Sequence, residues 1–276
     1  MIPTVREILR RRVSPRSYQQ IRFCWWQSSF WLPRLVASSV VRRNPRIQRG
    51  GVCELANQLR SINVFAPTEM CRVMTKFGSD KGHGYHNYTA IYSALLGNLR
   101  DRPLRIFELG LGTNNPTLAS TMGTHGLPGA SLRAWRELFP HALIFGADID
   151  RYILFEEDRI KTFYCDQLDS AAIRDLWSQP ALKTGFDVII DDGLHTFEAN
   201  ASFLDGSLEQ LRPGGIFVIE DITREAIPRW LQLLETYAKR FPSHQFVLVD
   251  LPNFFNSWDN NLLVIRGEAN QSALGC

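Results

Sequence analysis

The five cysteines of this 276-residue chain, Cys24, Cys53, Cys71, Cys165 and Cys276, form no CxxC pair and no zinc-ligand spacing, and their number is odd. A disulfide framework does not fit that pattern, and a reducing compartment does. Long apolar runs are missing too: the aromatic-rich stretch Phe23 to Val41 is interrupted by Gln27, Pro33, Arg34 and several serines, whereas a spanning helix needs about 20 mostly apolar residues. No internal repeat or low-complexity tract occurs. Acid is nearly absent from one end, since residues 1 to 50 hold eleven arginines, no lysine and one carboxylate, Glu7. That end carries +10 and leaves −7 on the other 226 residues of a chain whose net charge is +3. At 45% hydrophobic and 21% charged, the chain can build a full core in one large domain with an extension.

The extension, residues 1–50, opens on a capping-box pattern, Thr4-Val5-Arg6-Glu7, followed by a short basic helix that Pro15 interrupts. Its tryptophans stand beside arginines, and three readings stay open. The aromatics pack on the domain or on a second subunit of a homo-oligomer, they make peripheral membrane contact at headgroup depth, or the stretch is a targeting peptide. No DNA- or RNA-reading motif follows, so nucleic acid is not an expected partner. Asn44-Pro45 and Gly50-Gly51 read as a linker. Residues 51–100 form a helical lid or entry segment, with two short helices across 52–77, the second capped by Thr68. In GSDKGHGYHNYTAIYSALL (Gly78 to Leu96) the glycines mark a loop whose Lys81, His83, His86 and Tyr88 either touch a ligand or form the solvated entry to a core helix.

Residues 101–276 alternate strand and helix. LRIFEL (Leu104 to Leu109) runs into ELGLGTNNP, where Gly110 and Gly112 allow a tight turn and close approach to a ligand. ALIFGADID (Ala142 to Asp150) ends in Asp148 and Asp150, and an acid at a second strand's tip is where a ribose diol is held. Strands follow at 160–165, 186–191, 216–219, 245–251 and 261–266, with helices at 129–140, 170–183, 197–211 and 225–240. This predicts an α/β fold: a doubly wound, mostly parallel, seven-stranded Rossmann-like sheet whose last pair is antiparallel, with an N-terminal helical extension.

Two runs, FDVIIDDGLH (Phe186 to His195) and GGIFVIEDI (Gly214 to Ile222), organise the rest. Each has an apolar core without polar alternation, the mark of a strand buried on both faces, and each ends in acid. If the strands are neighbours, Asp191, Asp192, Glu220 and Asp221 crowd one rim with His195 a turn beyond. Such crowding requires a bound cation or shifted pKa values. The bland alternatives are a surface histidine at 195 and a helix N-cap pair at 220 and 221.

ELGLG, GADID, CDQLD, FDVIIDDGLH and LRPGGIFVIEDI in this order, with SDKGHGYHNYTAIY and GASLRAW, resemble the class I S-adenosylmethionine-dependent methyltransferases. More narrowly, they resemble the metal-dependent macrocin- and mycinamicin-type sugar O-methyltransferases that tailor natural products. The likeness covers about residues 78–266. It implies that Asp192, Glu220 and Asp221 ligate Mg²⁺ and that His195 is the general base. It places Glu108, Gly110 and Gly112 beside the methionine part of the donor, Asp148 and Asp150 at the ribose and Asp166 at the adenine. Ser131 and Asp191 are further cofactor-contacting candidates. The acceptor implied is a sugar hydroxyl of a glycoside, glycolipid or glycan. A cytoplasmic setting is expected, with membrane association through the arm one of its three open readings. Here the glycine loop is followed by the long stretch TNNPTLASTMGTHGLPG and not by an immediate helix. Two rivals are an NAD-type Rossmann oxidoreductase, disfavoured because GxG lacks its third glycine, and a non-catalytic membrane-recruited module.

Overall fold

The computed structural model describes residues 43–49, 53–82, 84–254 and 256–267. Expectations for residues 1–42 and for His83 lie outside these. The strands are β1 (Arg46–Arg49), β2 (Arg105–Leu109), β3 (Leu143–Asp148), β4 (Glu156–Glu157), β5 (Ile160–Tyr164), β6 (Phe186–Asp191), β7 (Leu211–Ile219), β8 (Gln245–Asp250) and β9 (Asn261–Arg266). The helices are α1 (Glu54–Arg60), α2 (Glu69–Phe77), α3 (Tyr88–Leu96), α4 (Ala130–Leu138), α5 (Ser170–Ser178), α6 (Phe197–Ser207) and α7 (Ile227–Arg240).

All the strands join one sheet in the order β1-β8-β9-β7-β6-β2-β3-β5-β4. Neighbours from β5 through β3, β2 and β6 to β7 pair parallel, while β9 is antiparallel to both β7 and β8. The seven strands expected from the sequence are therefore present, with two short antiparallel edge strands added. One of these, β1, comes from the end of the basic extension and pairs with β8. From β2 the chain lays β3 and β5 on one side and later returns to place β6 and β7 on the other. The crevice at the carboxyl ends of β2 and β6 is thus the switch point where open α/β sheets bind ligands.

The parallel strands are apolar throughout because helices cover both faces. Ile106, Val188, Ile190 and Val218 face α1 to α4, whereas Phe107, Ile189 and Phe217 face α5 to α7. Side chains alternate between those two cores with the strand period of two. The same alternation decides where each acidic tip points.

Helix ends follow local chemistry. The Thr68 hydroxyl accepts the Cys71 N–H at 3.0 Å at the start of α2, and Gly78 closes it in the left-handed conformation, φ +86°. The helix expected over 170–183 stops at Ser178, because Pro180 disfavours a helical Gln179, whose ψ is 132°. Residues 110–129 contain no helix, and α4 begins only after Gly129. Among the described residues no helix is long and apolar enough to cross a membrane.

Candidate active site

Alternation sends Glu108, Asp192 and Glu220 to the face shared with Ile106, Ile190 and Val218. There they meet one buried cation. Lys81, 1% exposed on the loop between α2 and α3, places Nζ 2.5 Å from Asp192 Oδ2, 2.6 Å from Glu220 Oε2 and 3.4 Å from Glu108 Oε1. Burial opposes the charge of Lys81, but Asp192, Glu108 and Glu220 outweigh it and hold the ammonium well above its ordinary pKa. Burial likewise pushes the Asp192 carboxyl up to about 7 and that of Glu220 well above its usual range, with Lys81 pulling each of them down. The Tyr92 hydroxyl donates to Glu220 Oε1 from α3.

Strict alternation would turn Asp221 to the other face, yet it takes a left-handed backbone, φ +54°, and stays near the cluster. Its Oδ1 accepts from the Tyr88 hydroxyl at 2.6 Å and lies 3.5 Å from His86 Nε2. Although burial raises the Asp221 carboxyl, His86, His195 and the Tyr88 hydrogen bond hold it below the ordinary value. His86 stacks on Tyr88 with ring centroids 4.5 Å apart, and its Nδ1 is 3.3 Å from Asn260 Oδ1 on the β8–β9 loop.

His195, also left-handed at φ +61°, brings Nε2 to 3.7 Å from Asp221 Oδ2 and 4.0 Å from Asp192 Oδ1. Burial lowers its pKa, but Asp221 and Asp192 more than reverse this and leave it raised. Donor atoms of Asp192, His195 and Asp221 all lie within 4.8 Å of one another. The buried Nδ1 of His195 has no hydrogen-bond partner among the described residues. A set of carboxylate oxygens and an imidazole that already gathers an ammonium fits a hard divalent cation. Glu220, expected with Asp192 and Asp221, is a neighbour of this trio, but its carboxylate is engaged by Lys81 and Tyr92.

Asp191 does not join them. It shares the face of Ile189, where its oxygens accept from Gln167 Nε2 at 2.8 Å and Asn200 Nδ2 at 2.9 Å. Of the four carboxylates expected to crowd one rim, Asp191 faces away from the other three, because consecutive residues of a strand point to opposite faces. Burial pushes the Asp191 carboxyl up to about 6, against the pull of Asn200.

The glycine loop lies beside the same rim. A Cβ on Gly110, at φ +92°, would stand 2.0 Å from the Asp192 carbonyl oxygen, so only glycine fits there. A Cβ on Gly112, at φ +78°, would run into the side chain of Met122. Glu108 accepts from Ser131 Oγ at 2.5 Å and from Trp135 Nε1 at 2.6 Å, tying α4 to the loop. Asp148 accepts the Leu111 N–H at 2.7 Å and the Asp150 N–H at 2.8 Å, and burial raises its carboxyl despite both. Asp150 accepts from Thr113 Oγ1 at 2.5 Å. Asp166, after β5, is half-buried and caps the Leu168 N–H at 2.9 Å. The structure thus brings Gly110 against Asp192, sets Glu108 beside Asp192 through their shared Lys81, ties Ser131 to Glu108, and joins Asp148 and Asp150 to the glycine loop.

Sequence reasoning passed over Tyr92, Trp135, Gln167 and Asn200. Tyr92 and Trp135 read as core faces of their helices, but a buried hydroxyl or indole N–H needs an acceptor, and that was the available signal.

No protein-family model matches the chain. It is 35% identical over 148 residues to the 8-demethyl-8-alpha-L-rhamnosyl tetracenomycin-C 2'-O-methyltransferase of Streptomyces olivaceus, covering 53% of this chain and 36% of that protein. It is 34% identical over 187 residues to the L-olivosyl-oleandolide 3-O-methyltransferase of Streptomyces antibioticus, covering 65% and 44%. The chain spans less than half the length of these curated relatives. Among solved structures it resembles the MycE methyltransferase of the mycinamycin biosynthetic pathway in complex with Mg, SAH and mycinamycin VI. There the TM-score is 0.55 at 23% identity, over 80% of this chain and 60% of that one. The chain has the Rossmann-like fold of the class I S-adenosylmethionine-dependent methyltransferases, and in sequence it resembles sugar O-methyltransferases.

Proposed function

We propose that the chain transfers a methyl group from S-adenosylmethionine to a sugar hydroxyl of a glycoside. Asp192, Glu220 and Asp221 would hold Mg²⁺, and His195 would take the hydroxyl proton. The carrying observation is the half-buried cluster of Asp192, His195 and Asp221 at the sheet's switch point, with donor atoms within 4.8 Å of one another and Asp192 against Gly110 of the glycine loop. Its support from outside is the set of relatives, whose names specify O-methylation of sugars.

Methyl transfer from a sulfonium is an in-line displacement, so alignment and exclusion of water dominate. Glu108, Gly110 and Gly112 line the donor side, and Asp148 and Asp150, next to the glycine loop, suit the ribose. A bound divalent ion supplies Lewis acidity that lowers the pKa of an acceptor hydroxyl and orients it. His195 is set to receive that proton at Nε2. In the structure Asp221 and Asp192 raise the pKa of its imidazole; with those carboxylates engaged by a cation that pull would weaken and His195 would serve as a base, a step worth about 10²- to 10⁴-fold. Tyr88 and His86 hold Asp221 in register from behind.

The test is a panel of glycosides with isotopically labelled donor. Turnover is expected to require a divalent ion, and His195→Ala should lower it by about 10²-fold or more while donor affinity persists. Full turnover in EDTA would remove the metal from the mechanism, and failure to bind S-adenosylmethionine would remove the reaction.

A further inference from the structure

Three acids at the rim suit a divalent ion, yet only two of them are gathered around His195. The third, Glu220, is held by Lys81 and Tyr92. Lys81 is bonded at once to Asp192 and Glu220, the two residues whose oxygens an ion shared by all three acids must contact. An ammonium 2.5 Å from Asp192 and 2.6 Å from Glu220 competes with an ion for those same oxygens. It also has somewhere to go, because Glu108 lies 3.4 Å away on the glycine-loop side and is anchored by Ser131 and Trp135.

We propose that Lys81 is a tethered counter-ion that holds the carboxylates together in the metal-free protein and competes with the divalent ion for Asp192 and Glu220. Ion binding displaces its ammonium toward Glu108. Without such a cation, three carboxylates packed together with little access to water would repel and reorganise. With it, the chamber is assembled before the ion arrives, and ion binding is coupled to a charge beside the glycine loop. Lys81 is thereby a positioning residue for the ion site. This inference rests on the divalent-ion reading given above.

The experiment is Mn²⁺ binding to the full chain, followed by electron paramagnetic resonance of the free ion, for wild type, Lys81→Met and Lys81→Arg. Removing the competing charge should tighten Mn²⁺ binding by at least about tenfold in Lys81→Met, whereas Lys81→Arg, which keeps the charge, binds no tighter than wild type. If Lys81→Met binds no more tightly than wild type, equally or more weakly, the competition is refuted and the ion site stands. If neither binds, the ion site fails and the competition with it. A second measurement stays valid even if Lys81→Met does not fold. The chain has only five lysines, so in ¹⁵N-lysine-labelled wild type the Lys81 ammonium signal, assigned with Lys81→Arg, should shift on saturation with Mg²⁺. A signal that does not move overturns the proposal.

Discussion

Asp191 and Asp192 are consecutive, identical in chemistry and both at the tip of β6, yet they sit in opposite worlds. Asp191 is met by the neutral amides of Gln167 and Asn200, while Asp192 is met by Lys81, with His195 and Asp221 nearby. Neutral amides satisfy a carboxylate's hydrogen-bonding capacity without cancelling its charge. An ammonium or imidazolium cancels the charge and can be exchanged for another cation. One face of the rim is therefore built to stay as it is, and the other to trade partners.

Substituting each residue separately tests this contrast. Asp192→Asn should lower turnover on a glycoside acceptor by about 10²-fold or more with little change in melting temperature, since a ligand and a proton-relay neighbour are lost together. A loss of turnover that tracks unfolding would erase the distinction between the faces. Asp191→Asn should act on stability and its pH dependence instead. The folded-state pKa of Asp191 is raised to about 6, above the unfolded value of about 3.9, so the native state binds more protons between those values. Stability from this group is therefore full below about pH 4 and falls as pH rises through about 6. Denaturant titrations from pH 4 to 7 should show a shallower decline in Asp191→Asn than in wild type; an unchanged slope would mean that burial of this carboxylate carries no such cost. The smallest effect is expected at Lys76, which is bonded to Glu137 at 2.6 Å, as short as the contact of Lys81 with Glu220, but is 58% exposed. Lys76→Ala should change unfolding free energy by less than about 0.5 kcal/mol, because exposed ion pairs are solvent-screened. A larger loss would show that distance, not burial, sets the worth of these cations.

Much of the sheet was legible in the sequence because its signals are local. The unbroken apolar runs of β6 and β7, the paired glycines after Glu108 and the Thr68 cap each lie within a few residues of what they specify. The acidic tips gave the rim its character, since strands in a covered parallel sheet present their ends to the crevice. Lys81 was visible as a loop residue able to touch a ligand, but its partners lie 111 and 139 positions away in the chain, and no local pattern encodes such a meeting. The opposite facing of Asp191 was available from the period of two and was overlooked in favour of the cluster of like charges. The edge strands escaped notice because β4 has two residues and β1 is a four-residue segment, Arg-Ile-Gln-Arg, with no apolar run. The end of α5 before Pro180 shows an apolar helical pattern yielding to one imino acid.

The two-residue rhythm of β6 has a consequence for how this sequence can change. Inserting or deleting a single residue upstream of Asp191 would exchange the two carboxylates, carrying the amide-bound one into the cation chamber and the cation-bound one toward Asn200. Both carboxylates would still be there, yet ion site and packing would fail together. Strand length is as strictly specified here as any side chain.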